Sequence, residues 1–291
     1  MITINLQGGL GNQLFQIFTT ISTALKYNES YFFLYTDKLL VGKTRPTYWD
    51  TFLQSLKQYT ITNKPCSTKI YNYNESGFHY TPITELPCSI PSAKIVNNYE
   101  IMMLNGYFQS YKYFIENKVK IFKIINLNEQ LNNIELELPS WVKYSCSIHF
   151  RLDDYLEKQE YHTILPINYY INAINKLLLQ EPKLIDIFVF NQENDKQIVD
   201  DIYLNVLKIN FVSLKFHHIN YNISDWRQML IMSICKHNII ANSTFSWWGA
   251  YLNENPEKKV FYPSEKWFGP KLQNNNMGDL FPDEWIPISL H

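Results

Sequence analysis

From Ser145 onward the chain alternates between two hydrophobic periods, and this order restricts its fold more than any other feature. Ser145–Phe150 reads as a strand. Pro166 to Leu179 then carries apolar residues at helical spacing through Ile167, Ile171, Ile174 and Leu178. Ile185–Phe190 is a second strand, Asp195–Leu207 a second helix and Phe211–Leu214 a weaker strand. Asp225–Cys235 and Phe245–Leu252 are further helices around the apolar strand Asn238–Ala241, and Val260–Tyr262 closes as a strand. Strands that alternate with helices of this size build βαβ units and a parallel sheet. The opening has the same form: Ile2, Ile4 and Leu6 alternate, a Gly-rich turn follows, and Leu14, Phe18, Ile21 and Leu25 fall on one helical face. The expected class is therefore α/β, with two Rossmann-like lobes, residues 1–139 and 140–291, and a ligand cleft beyond the carboxyl ends of the strands. Residues 59–98 break the pattern with Pro65, Pro82, Pro87 and Pro91 and read as an irregular insertion.

Composition removes several partners. With 26 Lys+Arg against 27 Asp+Glu, there is no basic excess to neutralise a nucleic-acid backbone. An aromatic content of 16% argues against disorder and fits either an aromatic core or a protein that handles sugar rings. The four cysteines have no zinc-ligand spacing, and Cys146 and Cys235 sit in apolar segments as small buried hydrophobes. Neither a signal peptide nor a run of about 18 apolar residues is evident, so no membrane span and a cytoplasmic location are expected.

Three segments carry chemistry. Gly8-Gly9-Leu10-Gly11-Asn12-Gln13 joins the first strand to its helix. It matches neither a dinucleotide fingerprint nor a Walker A loop. A glycine turn at a helix start offers free N–H groups to a pyrophosphate or a sugar, and it also serves any tight turn that needs positive φ. His149-Phe150-Arg151-Leu152-Asp153-Asp154-Tyr155 leaves the end of a strand. There Arg151 can grip a diphosphate, His149 a base or phosphate, and Asp154 can orient or accept a proton. The same residues could form no more than a surface ion pair. Asn242-Ser243-Thr244-Phe245-Ser246-Trp247-Trp248-Gly249-Ala250 delivers small polar groups to a helix start, which suits a helix cap, a phosphate cradle, or both. Trp247 and Trp248 read as core. Asp-x-Asp, the common metal-binding pair of sugar-nucleotide transferases, is absent.

Together these segments resemble the α-1,2-fucosyltransferases of glycosyltransferase family 11. Gly8 to Gln16 matches that family's opening block entire, His149–Tyr155 its His-x-Arg-Arg-Gly-Asp-Tyr block, and Asn242–Ala250 its Asn-Ser-Thr-Phe-Ser-Trp-Trp-Gly-Ala block. Gly106-Tyr107-Phe108-Gln109-Ser110 also looks like the family. The resemblance implies a GT-B fold, a GDP-fucose donor, a glycan acceptor, no metal or other cofactor, and inversion at the fucose carbon. It implies transfer to the 2-hydroxyl of a galactose-like sugar. Arg151 would hold the β-phosphate, His149 the nucleotide, and Thr244 and Ser246 phosphate oxygens, with Ser243, Phe245 and Asn242 beside them. Gly9, Gly11, Asn12 and Gln13 would face the donor.

Two positions depart from the family. Leu152 stands where its second Arg would be, and Gln228 where an Asp is common, with Asp225 one helical turn earlier. A Gln amide has one acceptor oxygen where a carboxylate has two, so the alternatives are weaker guanine recognition or recognition taken over by Asp225. Fucosyl transfer to another hydroxyl, use of another GDP-sugar, and a degenerate sugar-nucleotide or glycan-binding protein are the competing expectations. Acceptor choice is expected to reside in residues 59–98.

Overall fold

The computed structural model describes residues 1–40, 42–63, 67–84 and 99–291. Pro65, Pro87, Pro91, Cys66 and Cys88 lie outside the described residues. Residue contacts divide the chain into two compact units, Met1–Asn128 with Asn275–Pro282 and Glu129–Asn274 with Asp283–His291. The boundary expected at Pro139–Ser140 lies inside the second unit. The return of 275–282 to the first unit leaves no mark on local periodicity.

In the first unit, β1 (Ile2–Ile4) leads through the Gly-rich turn into α1 (Leu10–Tyr27). Leu14, Phe15, Phe18 and Ile21 are fully buried along α1, and Phe18 meets Phe114 edge-on at 5.5 Å. Asn28, at φ 53°, ends the helix in the left-handed conformation that Asn tolerates. β2 (Ser67–Asn74) and β3 (Tyr99–Asn105) complete a parallel sheet of order β1-β3-β2. Part of the stretch expected to be irregular is thus a strand. Its Tyr-Asn-Tyr-Asn run lacks the aliphatic alternation that marks a strand packed on a core. Phe33–Leu34 pairs with Thr60–Ile61, and Lys38–Leu39 with Arg45–Pro46, as two short ladders.

The second unit is built on six parallel strands: β4 (Cys146–His149), β5 (Asp186–Phe190), β6 (Lys215–His218), β7 (His237–Ile239), β8 (Val260–Pro263) and β9 (Ile286–Ile288). Their order is β6-β5-β4-β7-β8-β9. Ile148, Val189, Ile239 and Phe261 join Ile174 and Leu177 of α2 (Ile167–Gln180) and Leu204 and Leu207 in one buried cluster. Each such side chain contributes about 1.5–3 kcal/mol on burial. α3 (Asp225–Ile234) packs on α4 (Thr244–Tyr251), where a Cβ on Gly249 would meet Met232 Cβ at 2.8 Å. Glycine is required there by helix proximity. Trp247 and Trp248 are fully buried, as expected, and Trp247 stacks on Tyr251 at 4.7 Å. Cys146 and Cys235 are buried too, and burial pushes the Cys235 thiol up to about 12.

The expected strand at Phe211–Leu214 is a turn closed by Leu214 N–H to Phe211 O, and the strand begins at Lys215. Phe211 and Leu214 are buried at the foot of the sheet, whereas β6 is an edge strand reading Lys-Phe-His-His, so the apolar signal falls one turn early. β9, reading Ile-Pro-Ile, is a short edge strand of the kind that accepts proline. The helical run 193–210 includes a π-turn at Val199–Leu204.

Candidate active site

The strand order marks where an open α/β sheet such as this one offers a ligand crevice. Successive connections run from β4 outward to β5 and β6 on one side, and to β7, β8 and β9 on the other. The crevice at the carboxyl ends of β4 and β7 is therefore the topological switch point of an open α/β sheet. The His149–Tyr155 and Asn242–Ala250 segments leave those two strand ends. Tyr155 Oη donates to Asn242 O at 3.0 Å, and the rings of His149 and Phe245 lie 5.6 Å apart, so the structure joins the two segments.

Arg151 is mostly covered and donates from Nη2 to Asp154 Oδ1 at 2.5 Å, with Asp153 Oδ2 at 3.7 Å. Its guanidinium lies over the Tyr155 ring at 5.3 Å. With the Gln192 amide turned to satisfy both neighbours, its oxygen accepts from Arg151 Nη1 at 2.5 Å and its nitrogen donates to Asp153 Oδ2 at 3.1 Å. Leu152 is buried in the core, so the side chain that replaces a second arginine serves packing. Asp153 has φ 31°, and its N–H lies 3.1 Å from both carboxylate oxygens of buried Asp195.

His149 is buried, and its Nδ1 has no partner. Burial, reinforced by the positive Arg151, lowers its pKa from 6.5 to about 3. The imidazole is neutral at physiological pH, which suits a hydrogen-bonding group, and so low a pKa makes it a weak base.

Asn242 donates from Nδ2 to Thr163 O at 2.7 Å and Trp267 O at 3.1 Å, while its Oδ1 is buried without a partner. Ser243 is the N-cap of α4, its Oγ accepting from Phe245 N–H. Thr244 and Phe245 are part-exposed at the helix start. Ser246 differs from the expectation. It is 1% exposed and donates to Ser243 O at 3.3 Å while accepting from Ala241 N–H at 3.2 Å. Its hydroxyl holds the turn and does not face outward.

The first unit gathers the other two segments. Gly8 has φ 80°, and a Cβ there would lie 2.6 Å from Asn12 Nδ2. Gln16 accepts from Gln7 N–H at 2.9 Å and donates back to Gln7 O at 3.2 Å. Gln13, expected to face a ligand, is buried, with its amide nitrogen on Gly8 O at 3.0 Å and Pro46 O at 2.9 Å. These glutamines clasp the turn. Gly9, by contrast, has open space around its Cβ position, and Gly11 is buried in the first turn of α1. Gln109 donates to Asn12 Oδ1 at 3.0 Å, joining the Gly106–Ser110 segment to the turn.

Asp225 is exposed and accepts from Trp226 N–H at 2.7 Å, and Gln228 is part-exposed and donates to Ile223 O at 2.7 Å. Sequence reading did not single out Gln192 or Asp195, and it named Gln109 only within the Gly106–Ser110 stretch. The first two could have been found from their place after β5, the strand next to β4, at the ligand-binding edge of the sheet. Among the described residues, no helix is long and apolar enough to cross a membrane.

The sequence matches the profile of glycosyl transferase family 11 over residues 1–288. The O-antigen biosynthesis glycosyltransferase WbnK of Escherichia coli is 29% identical, covering 97% of this chain and 99% of its own length. An α-1,2-colitosyltransferase of Escherichia coli is 28% identical over 99% of each. A galactoside 2-α-L-fucosyltransferase of Caenorhabditis elegans is 22% identical over 100% of this chain and 79% of its own length. Among solved structures, a mutant of Arabidopsis thaliana FUT1 in complex with GDP aligns at TM-score 0.46 and 12% identity, over 97% of this chain and 74% of that one. With its strand-end motifs in place and nearly its whole length matched, this chain belongs to glycosyl transferase family 11 and is a glycosyltransferase.

Proposed function

We propose that this enzyme transfers L-fucose from GDP-fucose to the 2-hydroxyl of a galactose-like acceptor, with inversion, without a metal ion, and with its two units in a GT-B arrangement. The observation that carries this reading is Arg151 leaving β4 at the switch point, two residues after buried His149, whose Nδ1 is orphaned and whose ring lies 5.6 Å from Phe245 at the start of α4. A cation and a helix start that meet at one crevice suit a diphosphate. The α-1,2 linkage is that named for two of the relatives.

In the reaction, the acceptor oxygen bonds to the fucose anomeric carbon from the face opposite GDP. The bond from that carbon to the β-phosphate oxygen breaks, its electron pair leaves with GDP, and the acceptor proton passes to a base or to solvent. Arg151 and the N–H groups at the start of α4 stabilise the departing charge. Thr244 adds a hydroxyl to that cradle. Asp154 holds the guanidinium through its 2.5 Å ion pair, and so acts as an orienting group. His149, neutral, bonds the nucleotide, while Asp225 and Gln228 recognise guanine.

A second reading follows from the 28% identical colitosyltransferase. Colitose is fucose without its 3-hydroxyl, so the same site would accept a colitosyl donor if nothing bonds that hydroxyl. GDP release from GDP-fucose or GDP-colitose, with β-galactosides and with EDTA present, tests both readings. Product linkage analysis on an acceptor panel then fixes the hydroxyl. Turnover of GDP-colitose without turnover of GDP-fucose would overturn the first reading, and abolition of activity by EDTA would overturn the metal-free one.

A further inference from the structure

The geometry points to Asp195 as the positioning residue that aims Arg151 at the donor. This rests on the reading of Arg151 as the cation that holds the diphosphate. Arg151 leaves β4 on a loop whose direction is set two residues later by Asp153, at φ 31°. An L-residue avoids that conformation unless its surroundings enforce it. Asp195 supplies the enforcement. Asp195 is 3% exposed, and both of its carboxylate oxygens lie 3.1 Å from the Asp153 nitrogen and accept its N–H.

Asp195 is itself held in register with the loop. The ends of β4 and β5 pair His149 with Phe190, and Phe150 N–H donates to Phe190 O at 2.9 Å, so the segment after β5 starts beside the segment after β4. Gln192, three residues before Asp195, completes the device by bridging Arg151 Nη1 and Asp153 Oδ2. One residue grips the backbone of the loop and the other aligns its side chain. Neither needs to touch substrate.

The test compares Asp195→Ala and Asp195→Asn, each alone and combined with Asp153→Gly. Glycine adopts positive φ without enforcement, so it makes the clamp dispensable. In steady-state kinetics with GDP-fucose and a β-galactoside, Asp195→Ala is expected to lower kcat/KM for the donor by about 10- to 100-fold, the effect of a small misplacement of a catalytic group. Donor KM and the GDP dissociation constant rise, while acceptor KM is unchanged. In the Asp153→Gly background, which itself loses the Gln192 bridge, Asp195→Ala is expected to cost little further. Asp195→Asn keeps the side-chain volume and one accepting oxygen, so it gives a smaller loss, again with little further cost in the Asp153→Gly background, and it decides the matter if the alanine variant does not fold. Wild-type donor kinetics in the Asp195 variants, or an equal loss with and without Asp153→Gly, would overturn the inference and leave the site reading standing. Failure of the wild-type protein to bind GDP would overturn both.

Discussion

Acidification should unfold this protein through two histidines, and the size of the effect follows from their burial. His149 is 6% exposed and His237 is fully buried. Burial is the main cause that lowers His149 to about 3, with Arg151 adding to it. Burial likewise lowers His237 to about 4, opposed in part by Glu181. In the unfolded chain both return to about 6.5. Because the folded values lie below the unfolded ones, the unfolded state takes up protons first. Stability is therefore at its highest above about pH 6.5 and falls as pH drops from there towards the folded values. At pH 5 each site lies about 1.5 units below its unfolded pKa and loses about 2 kcal/mol, so the pair loses about 4 kcal/mol. That is a large share of the roughly 5–15 kcal/mol that holds a typical domain.

Urea titrations followed by tryptophan fluorescence at pH 7.5 and 5.0 measure this loss directly. Glu75 and Asp195, both raised by burial, act in the opposite sense at lower pH, so the informative quantity is a difference between variants. His149→Asn and His237→Asn should each reduce the loss between the two pH values by about 2 kcal/mol, whatever their stability at pH 7.5. If His149→Asn loses as much stability on acidification as the wild type, His149 is not held neutral. The argument against it as a catalytic base then collapses. If it is neutral, the acidic limb of the kcat/KM profile should keep its midpoint in His149→Asn.

Arg151→Ala should lower kcat/KM about 10²- to 10³-fold, as loss of a principal charge-stabilising donor does, with the far-UV dichroism unchanged. Near-normal turnover would show that the departing charge is stabilised elsewhere. Gly249→Ala forces a methyl group against Met232 and should cost about 1–3 kcal/mol in urea unfolding, without altering donor KM. Gly8→Ala combines a positive φ with a collision at Asn12 and should cost about 1–3 kcal/mol. Trp247→Ala empties a fully buried site and should cost about 3–5 kcal/mol, which fluorescence-monitored unfolding would register.

Elements packed on a core were legible in the sequence, and elements at edges were not. β5, α2 and α3 carry apolar periodicity because a strand core or one helix face is buried. β2, β6 and β9 lack it because Tyr, Asn, His and Pro satisfy an edge as well as any aliphatic does. The site was legible where chemistry and backbone geometry require the same residue. The Gly-rich turn was legible because positive φ favours glycine, although the residue that carries it is Gly8, not the expected site residues Gly9 and Gly11. Asp153 has positive φ as well, but an aspartate there reads only as a charge. Ser246 and Gln13 bond their own turns, and spacing does not separate a polar side chain that faces a ligand from one that bonds the turn. Their burial does.

The two units hold their motifs by the same physical means. In each, a turn leaves a parallel strand through a residue at positive φ, Gly8 in one and Asp153 in the other. Each turn is then fixed by side-chain hydrogen bonds to its backbone. Gln13 and Gln16 do this from the helix that follows Gly8, and Asp195 does it from the neighbouring strand's exit. The difference in sequence distance has a consequence. A clamp within nine residues of the backbone it holds appears as part of a motif, as Gln13 and Gln16 do, whereas Asp195 lies 42 residues from Asp153 and appears as an unrelated acid. Motif residues in this enzyme therefore divide into those that present groups to a ligand and those that shape the backbone, and some of the shaping is done from outside any motif. Substitutions at Gln13, Gln16 or Asp195 should accordingly change donor kinetics through the turn they hold, and they should do so in proportion to how far that turn relaxes.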